Sequence, residues 1–180
     1  MAQNIEIKAR VRDIDGMRRD VQLIAVSGPE VILQRDTFYR VSDGRLKLRE
    51  FGDGAAELIH YHREDSSSAK LSTYTRISVG PVEDVKRVLT SVLPLRGVIT
   101  KQRELYRVGR TRVHLDNVEH LGWFLELEVV LCDRESLVDG QREAGVLMRQ
   151  LKVTDEDLLA VAYIDLLEAA TCVSKAITDA

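Results

Sequence analysis

Two glutamates spaced two apart are where chemistry first enters this chain. Residues 124–130 read FLELEVV, and strict alternation in a strand puts Leu125, Leu127 and Val129 on one face and Phe124, Glu126, Glu128 and Val130 on the other. The carboxylates of Glu126 and Glu128 then lie side by side and repel unless water or a cation separates them. A divalent metal with a preference for oxygen ligands suits such a pair; so does plain solvent on the wet face of an antiparallel sheet. Other stretches sort charge in the same way. RLKLREF puts Arg45, Lys47 and Arg49 opposite Leu46 and Leu48, and NIEIK puts Asn4, Glu6 and Lys8 opposite Ile5 and Ile7. Lys101 with Arg103, and Arg112 with His114 and Asp116, make two further polar faces.

Bulk properties limit what these faces can serve. The chain has 180 residues, enough for one domain with a sizeable core and cramped for two. Its 26 basic and 29 acidic residues leave a net charge of −3, so no global field calls for nucleic acid or an anionic membrane, and any basic site is local. Cys132 and Cys172 are too few for a disulfide framework or a zinc site, which fits a reducing interior. No apolar run reaches membrane-spanning length, and a cytoplasmic location is expected.

The elements that must carry the faces follow in order. Residues 3–11 alternate as a strand, and Asp13 opens a helix with Ile14, Met17, Val21 and Ile24 on one stripe, ended by Gly28-Pro29. Strands are expected at 31–41, 45–51, 57–64 and 70–78, with a turn at 52–54 and a loop at 65–69. Pro81 stands at the first turn of a helix through Leu93, stopped by Pro94. A hairpin around Gly109 joins strands 97–108 and 110–118 and leads through Gly122 into the glutamate strand. Helical patterns follow at 137–151 and from Thr154, where Thr154 and Asp157 have capping-box spacing. Residues 163–167, YIDLL, either continue that helix or form a short closing strand, and the tail from Ala169 is expected to fray. There is no internal repeat or linker. Eight strands in hairpin-rich order with three or four helices make an α+β domain on an antiparallel sheet.

If that sheet closes on itself with its apolar faces outward under the helices, the polar faces line a lumen crowded with both signs of charge. Desolvated like charges cost several kcal/mol per ion unless paired, so such a lumen calls for a guest. A triphosphate accompanied by divalent cations satisfies both halves: cationic side chains on its oxygens, carboxylates on its metals.

The ordered motifs NIEIK, DTFY (36–39), RLKLRE (45–50), KQRELY (101–106), RVHLDNVEHLGWFLELE (112–128) and YIDLL resemble, over residues 3–168, the CYTH superfamily of triphosphate tunnel metalloenzymes, closest to its adenylyl cyclase-like branch. The resemblance implies an eight-stranded antiparallel closed β-barrel with helices outside, occupying 1–168 and followed by a tail at 169–180. It implies Mg2+ or Mn2+ as cofactor and a small-molecule triphosphate as partner, with no nucleic acid and no membrane. Carried over by position, the family's N-terminal acidic motif falls on Asn4, Glu6 and Lys8, so its first acid is missing. Glu6, Asp116, Glu126 and Glu128 then match metal ligands, with His114 sharing the face of Asp116 and the register between the two open. Lys8, Arg45, Lys47, Arg49, Arg63, Lys101, Arg103 and Arg112 match phosphate contacts, Lys70 more remotely, and Glu6, Lys8 and Glu128 the catalytic set. Hydrolysis of thiamine triphosphate, tripolyphosphate or a nucleoside triphosphate is the expected activity. Cyclisation of ATP to cyclic AMP and pyrophosphate, or binding without turnover, are the alternatives. His60, His62 and His120 read as surface or strand residues, and Phe38, Tyr39, Tyr74, Tyr106 and Trp123 as packing aromatics.

Overall fold

The computed structural model describes residues 2–63, 69–132 and 135–178, and within them eight antiparallel strands close into a barrel in the order β1-β5-β4-β3-β2-β6-β7-β8. The strands are β1 (Ala2–Arg10), β2 (Ser27–Tyr39), β3 (Arg45–Phe51), β4 (Ala56–Arg63), β5 (Lys70–Ser78), β6 (Leu95–Val108), β7 (Thr111–Val118) and β8 (Gly122–Val130). Closure comes from β1, which pairs with β5 on one side and β8 on the other, setting Ile5 against Leu71 and Lys8 against Glu126. Alternation then sends every second side chain inward. The inward set is the polar one, as expected, because four helices cover the apolar outer faces: α1 (Ile14–Ile24), α2 (Val82–Val92), α3 (Leu137–Gln150) and α4 (Tyr163–Thr178).

One outer cluster joins Ile5, Ile7, Val113, Leu115, Leu125 and Leu127 to Val21 of α1 and to Ala144 and Leu147 of α3. Each fully buried aliphatic side chain here contributes about 1.5–3 kcal/mol. α3 is capped by Ser136, whose hydroxyl accepts from Asp139 N, and it approaches β1 so closely that a Cβ on Gly140 would lie 2.8 Å from Ile5. α2 covers Leu46, Leu48 and Leu58 of β3 and β4 with Val82, Val85 and Leu89.

Three boundaries differ from the sequence-based expectation. Gly28-Pro29 does not end the first helix: α1 stops at Ile24, and Ser27 already pairs with Arg107, so the dipeptide forms a bulge inside β2. There Gly28 has φ +111° and packs so closely on Leu105 that a Cβ would meet its carbonyl oxygen at 2.6 Å, while proline loses no needed ladder donor. The Thr154–Asp157 capping box is present but starts only a 3₁₀ turn, Asp155–Asp157. The chain then crosses one end of the barrel, Leu158 bridging to Ala9 and Leu159 N donating to Lys8 O, before α4 begins. YIDLL is therefore helical, not a closing strand; its Asp165 accepts from Ala162 N at 2.8 Å and so caps α4, which runs on through the expected frayed tail to Thr178. The expected loop at 65–68 lies outside the described residues, apart from Ala69 at its end.

The crossing segment closes that barrel end. Ala162, Tyr163 and Ile164 pack with Phe38, Ile99, Val118 and Phe124, one from each of β2, β6, β7 and β8. The lumen is thereby stoppered on one side, with Tyr163 at its floor.

Candidate active site in the barrel lumen

The lumen encloses about 270 Å³ and is lined by inward residues of all eight strands together with Ala162 and Tyr163. Its basic wall is built from two clamps of the same design. On β3, Lys47 and Arg49 both reach Asp36 on β2: Lys47 Nζ donates to Oδ2 at 2.8 Å, and Arg49 donates through Nε to Oδ1 and through Nη2 to Oδ2, each at 2.7 Å. On β6, Lys101 and Arg103 reach Asp116 on β7 through the same three atoms, all at 2.7 Å. Register dictates both, since Asp36 stands opposite Arg49 and Asp116 opposite Arg103.

Burial penalises every charge in these clamps, and their neighbours decide the outcome. For Asp36, burial works against ionisation, but Arg49 and then Lys47 hold its carboxyl well below the usual range. For Asp116, burial is likewise outweighed by Arg103 and Lys101. Burial lowers Lys47 to about 8, with Arg49 pushing the same way and Asp36 resisting. Burial also lowers Lys101, aided by Arg103.

Opposite stands the acidic wall. Glu126 on β8 accepts from Lys8 Nζ, a close ion pair across the β1–β8 ladder, and from Arg103 Nη2 at 2.6 Å. Glu128 takes a bidentate approach from Arg112, Nε at 2.9 Å and Nη2 at 2.8 Å from the same Oε2. Burial opposes both glutamates' charges, yet Lys8 and Lys101 keep Glu126, and His114 and Arg112 keep Glu128, below the ordinary carboxylate range. Glu6 lines the same wall and pairs through its backbone with Glu128.

Among the described residues, His114, Glu126 and Glu128 are the group whose ligand-type atoms all lie within 4.8 Å of one another. His114 is 3% exposed, and its Nδ1, 3.8 Å from Glu126 Oε2 and from Glu128 Oε1, has no hydrogen-bond partner. Burial, then Arg103, lowers its pKa, while Glu128 and Glu126 resist. An orphaned, buried ring nitrogen facing two carboxylates fits a divalent cation.

Most sequence-predicted residues converge here; Asp116 and Arg45 do not line the lumen, and the side chain of Arg63 is not among those described. Glu6, Lys8, Lys47, Arg49, Lys101, Arg103, Arg112, Glu126 and Glu128 all line the lumen. Asp116, expected as a metal ligand, is instead engaged by protein donors: it accepts from Lys101, twice from Arg103, and from the Tyr163 hydroxyl at 3.1 Å, three of the four on Oδ2. It is 0% exposed and stays out of the lumen lining, whereas His114 and Arg112 of the same face line it. Arg45, expected on phosphate, lies outside the lining and donates to Asp165 of α4 at 3.2 Å, because β3 enters beneath the stopper there. Arg63 keeps its place on β4 opposite Ser72, but its side chain, like that of Lys70, lies outside the described residues. Asn4 is buried in the lining with Oδ1 unpartnered.

Two residues that sequence reasoning left without a role organise the site. Asp36 was visible only as a lone acid amid Thr37, Phe38 and Tyr39. Tyr163 donates to Asp116 while Lys8 Nζ sits 3.4 Å, and Lys101 Nζ 5.1 Å, from its ring centroid, a cation–π arrangement at the floor. Burial and Asp116 raise the Tyr163 pKa well above normal, so it remains a donor.

A closed eight-stranded barrel with cationic and carboxylate walls facing each other across its lumen defines the class of fold to which the site belongs. The family model for the CYTH domain matches residues 2–163, and the chain belongs to that family. It is similar to a Methanocaldococcus jannaschii protein provisionally named an adenylate cyclase, 21% identical over 174 residues that span 90% of this chain and 97% of that one. The solved PH1012 protein of Pyrococcus horikoshii OT3 superposes with a TM-score of 0.81 at 23% identity, covering 91% of this chain and 98% of that chain. A Hippeastrum protein provisionally named an adenylyl cyclase, and described as having a dominant triphosphatase activity, superposes with a TM-score of 0.64 at 13% identity over 94% and 96% of the two chains.

Proposed function

We propose that this protein is a divalent-metal-dependent enzyme that hydrolyses a triphosphate held in the lumen: thiamine triphosphate, tripolyphosphate or a nucleoside triphosphate. The observation that carries the reading is one lumen lined by Lys8, Lys47, Arg49, Lys101, Arg103 and Arg112 around the Glu126–Glu128 pair. The description of the Hippeastrum relative as chiefly a triphosphatase supports hydrolysis over cyclisation.

The clamps explain how the wall can meet phosphate. Asp36 and Asp116 each hold a lysine and an arginine at fixed spacing, so the cations present their remaining N–H groups without reorganising. Arginine binds phosphate oxygens in a bidentate manner and lysine as a point charge. A cation held by Glu126 and Glu128, with Glu6 beside them, would neutralise charge on the transferring phosphoryl group. Lys8, Arg103 and Arg112, now bonded to those glutamates, would then share their donors with phosphate. Lys8, resting on the Tyr163 ring, places its ammonium on the reacting phosphate, and Glu6 orients the attacking water. Glu128 is assigned to catalysis with them.

Phosphorus NMR of products from tripolyphosphate, thiamine triphosphate and ATP, each with Mg2+ or Mn2+, tests the proposal. Orthophosphate plus the diphosphate product is expected, and its absence from Glu126→Gln/Glu128→Gln protein. Cyclic AMP with pyrophosphate would make the protein a cyclase. Intact substrates that still raise the melting temperature would make it a binding module. Full turnover by the double variant, or in a chelator, would overturn the metal assignment.

A further inference from the structure

We propose that His114 Nδ1 is a direct metal ligand in the Glu126–Glu128 site, and that this nitrogen makes the site select a first-row transition dication, such as Mn2+, over Mg2+. The inference deepens the metal-dependent reading above and rests on it for the presence of a cation, not for the reaction.

The geometry begins from an energetic oddity. A buried polar atom without a partner costs about 1–3 kcal/mol, and His114 Nδ1 is such an atom on a side chain 3% exposed. Its nearest carboxylate oxygens, Glu126 Oε2 and Glu128 Oε1, stand at 3.8 Å, too far for hydrogen bonds and close enough for one ion to touch all three. Glu128 Oε1 faces the ring, whereas Arg112 occupies Oε2. The register enforces the grouping, since His114 pairs with Glu126 across β7–β8 and Arg112 with Glu128.

Ligand type then decides the ion. Mg2+ demands near-octahedral oxygen coordination and sheds water reluctantly, whereas one imidazole with two carboxylates suits Mn2+ and the ions above it in the Irving–Williams order. Asp116, the one acid on the same strand face, is already engaged by Lys101, Arg103 and Tyr163 and lies outside the lumen lining, so the ligand that β7 offers beside the two glutamates is the His114 nitrogen. The strand alternation that makes the lumen polar thus delivers a nitrogen donor to its acidic wall.

The test uses the full chain without triphosphate, so that failure of the hydrolysis reading would not touch it. Mn2+ added to the protein is followed by electron paramagnetic resonance, with electron spin-echo envelope modulation reporting nitrogen in the first shell. Protein labelled with 15N only at histidine should change that modulation, and this arm needs no variant. Mg2+ should displace Mn2+ from wild type only at large excess. In His114→Asp, checked for folding by its melting curve, the nitrogen modulation should vanish, Mn2+ affinity should fall about 10- to 100-fold, and Mg2+ should compete more nearly equally. Mn2+ binding without histidine modulation, or equal Mg2+ competition in wild type, would overturn the proposal.

Discussion

The two clamps of the basic wall differ less in construction than in attachment. Lys47, Arg49 and Asp36 reproduce, atom for atom, the bonding of Lys101, Arg103 and Asp116. The β6–β7 clamp, however, is tied at both ends: Tyr163 of the stopper donates to Asp116, and Arg103 reaches across to Glu126. Among the described residues the β2–β3 clamp makes neither bond, and burial lowers its lysine to about 8. One clamp is bonded to the floor and the acidic wall; the other, among the described residues, lacks both bonds, with its lysine against the Phe38 and Tyr61 rings. Twice the same residues do the same local work, and only their surroundings separate a doubly tied unit from one without those ties.

Breaking the aspartates should reveal this most strongly. Asp116→Ala strands a buried lysine and arginine and should cost about 3–5 kcal/mol of stability, read by urea unfolding, with Asp36→Ala costing less because fewer donors lose their partner. Similar losses in both would erase the distinction. Next, Arg49→Ala should lower kcat/KM for the preferred triphosphate by about 10- to 100-fold, as loss of a charge-assisted contact of about 1.5–3 kcal/mol implies. Arg45→Ala, outside the lumen, should leave it within about threefold on the same scale. A finer cut is Tyr163→Phe, which keeps the ring under Lys8 but removes one donor to Asp116. It should lower stability by about 1 kcal/mol and leave an Asp36→Ala background equally affected, as independent sites require.

The smallest effect expected is one of pH. Lys47 titrates at about 8 in the fold, below the free lysine value of 10.5. As pH rises through 8 the folded lumen loses an ammonium, so triphosphate affinity should fall, by calorimetry across pH 7 to 9.5. Stability should move the other way: between the folded and unfolded pKa values the unfolded chain holds more protons, so this group's contribution rises with pH. Lys47→Arg should remove the affinity limb; its persistence would assign the titration elsewhere.

What the chain determines locally is which residues share a face. The period of two in RLKLREF, NIEIK and FLELEVV is a property of consecutive residues, and it placed Lys47, Arg49, Glu6, Lys8, Glu126 and Glu128 on inward faces that the structure brings into one lumen. What no stretch of sequence contains is register and closure. Whether Asp116 meets a metal or a pair of cations depends on its standing opposite Arg103 on another strand, and whether Arg45 reaches the lumen depends on Asp165, 120 residues away. A strand slipped by one residue would turn every one of these side chains outward. Which of Asp116 and His114 is left open to the lumen was therefore decided by tertiary packing: four donors reach the aspartate, and none reaches Nδ1 of the histidine.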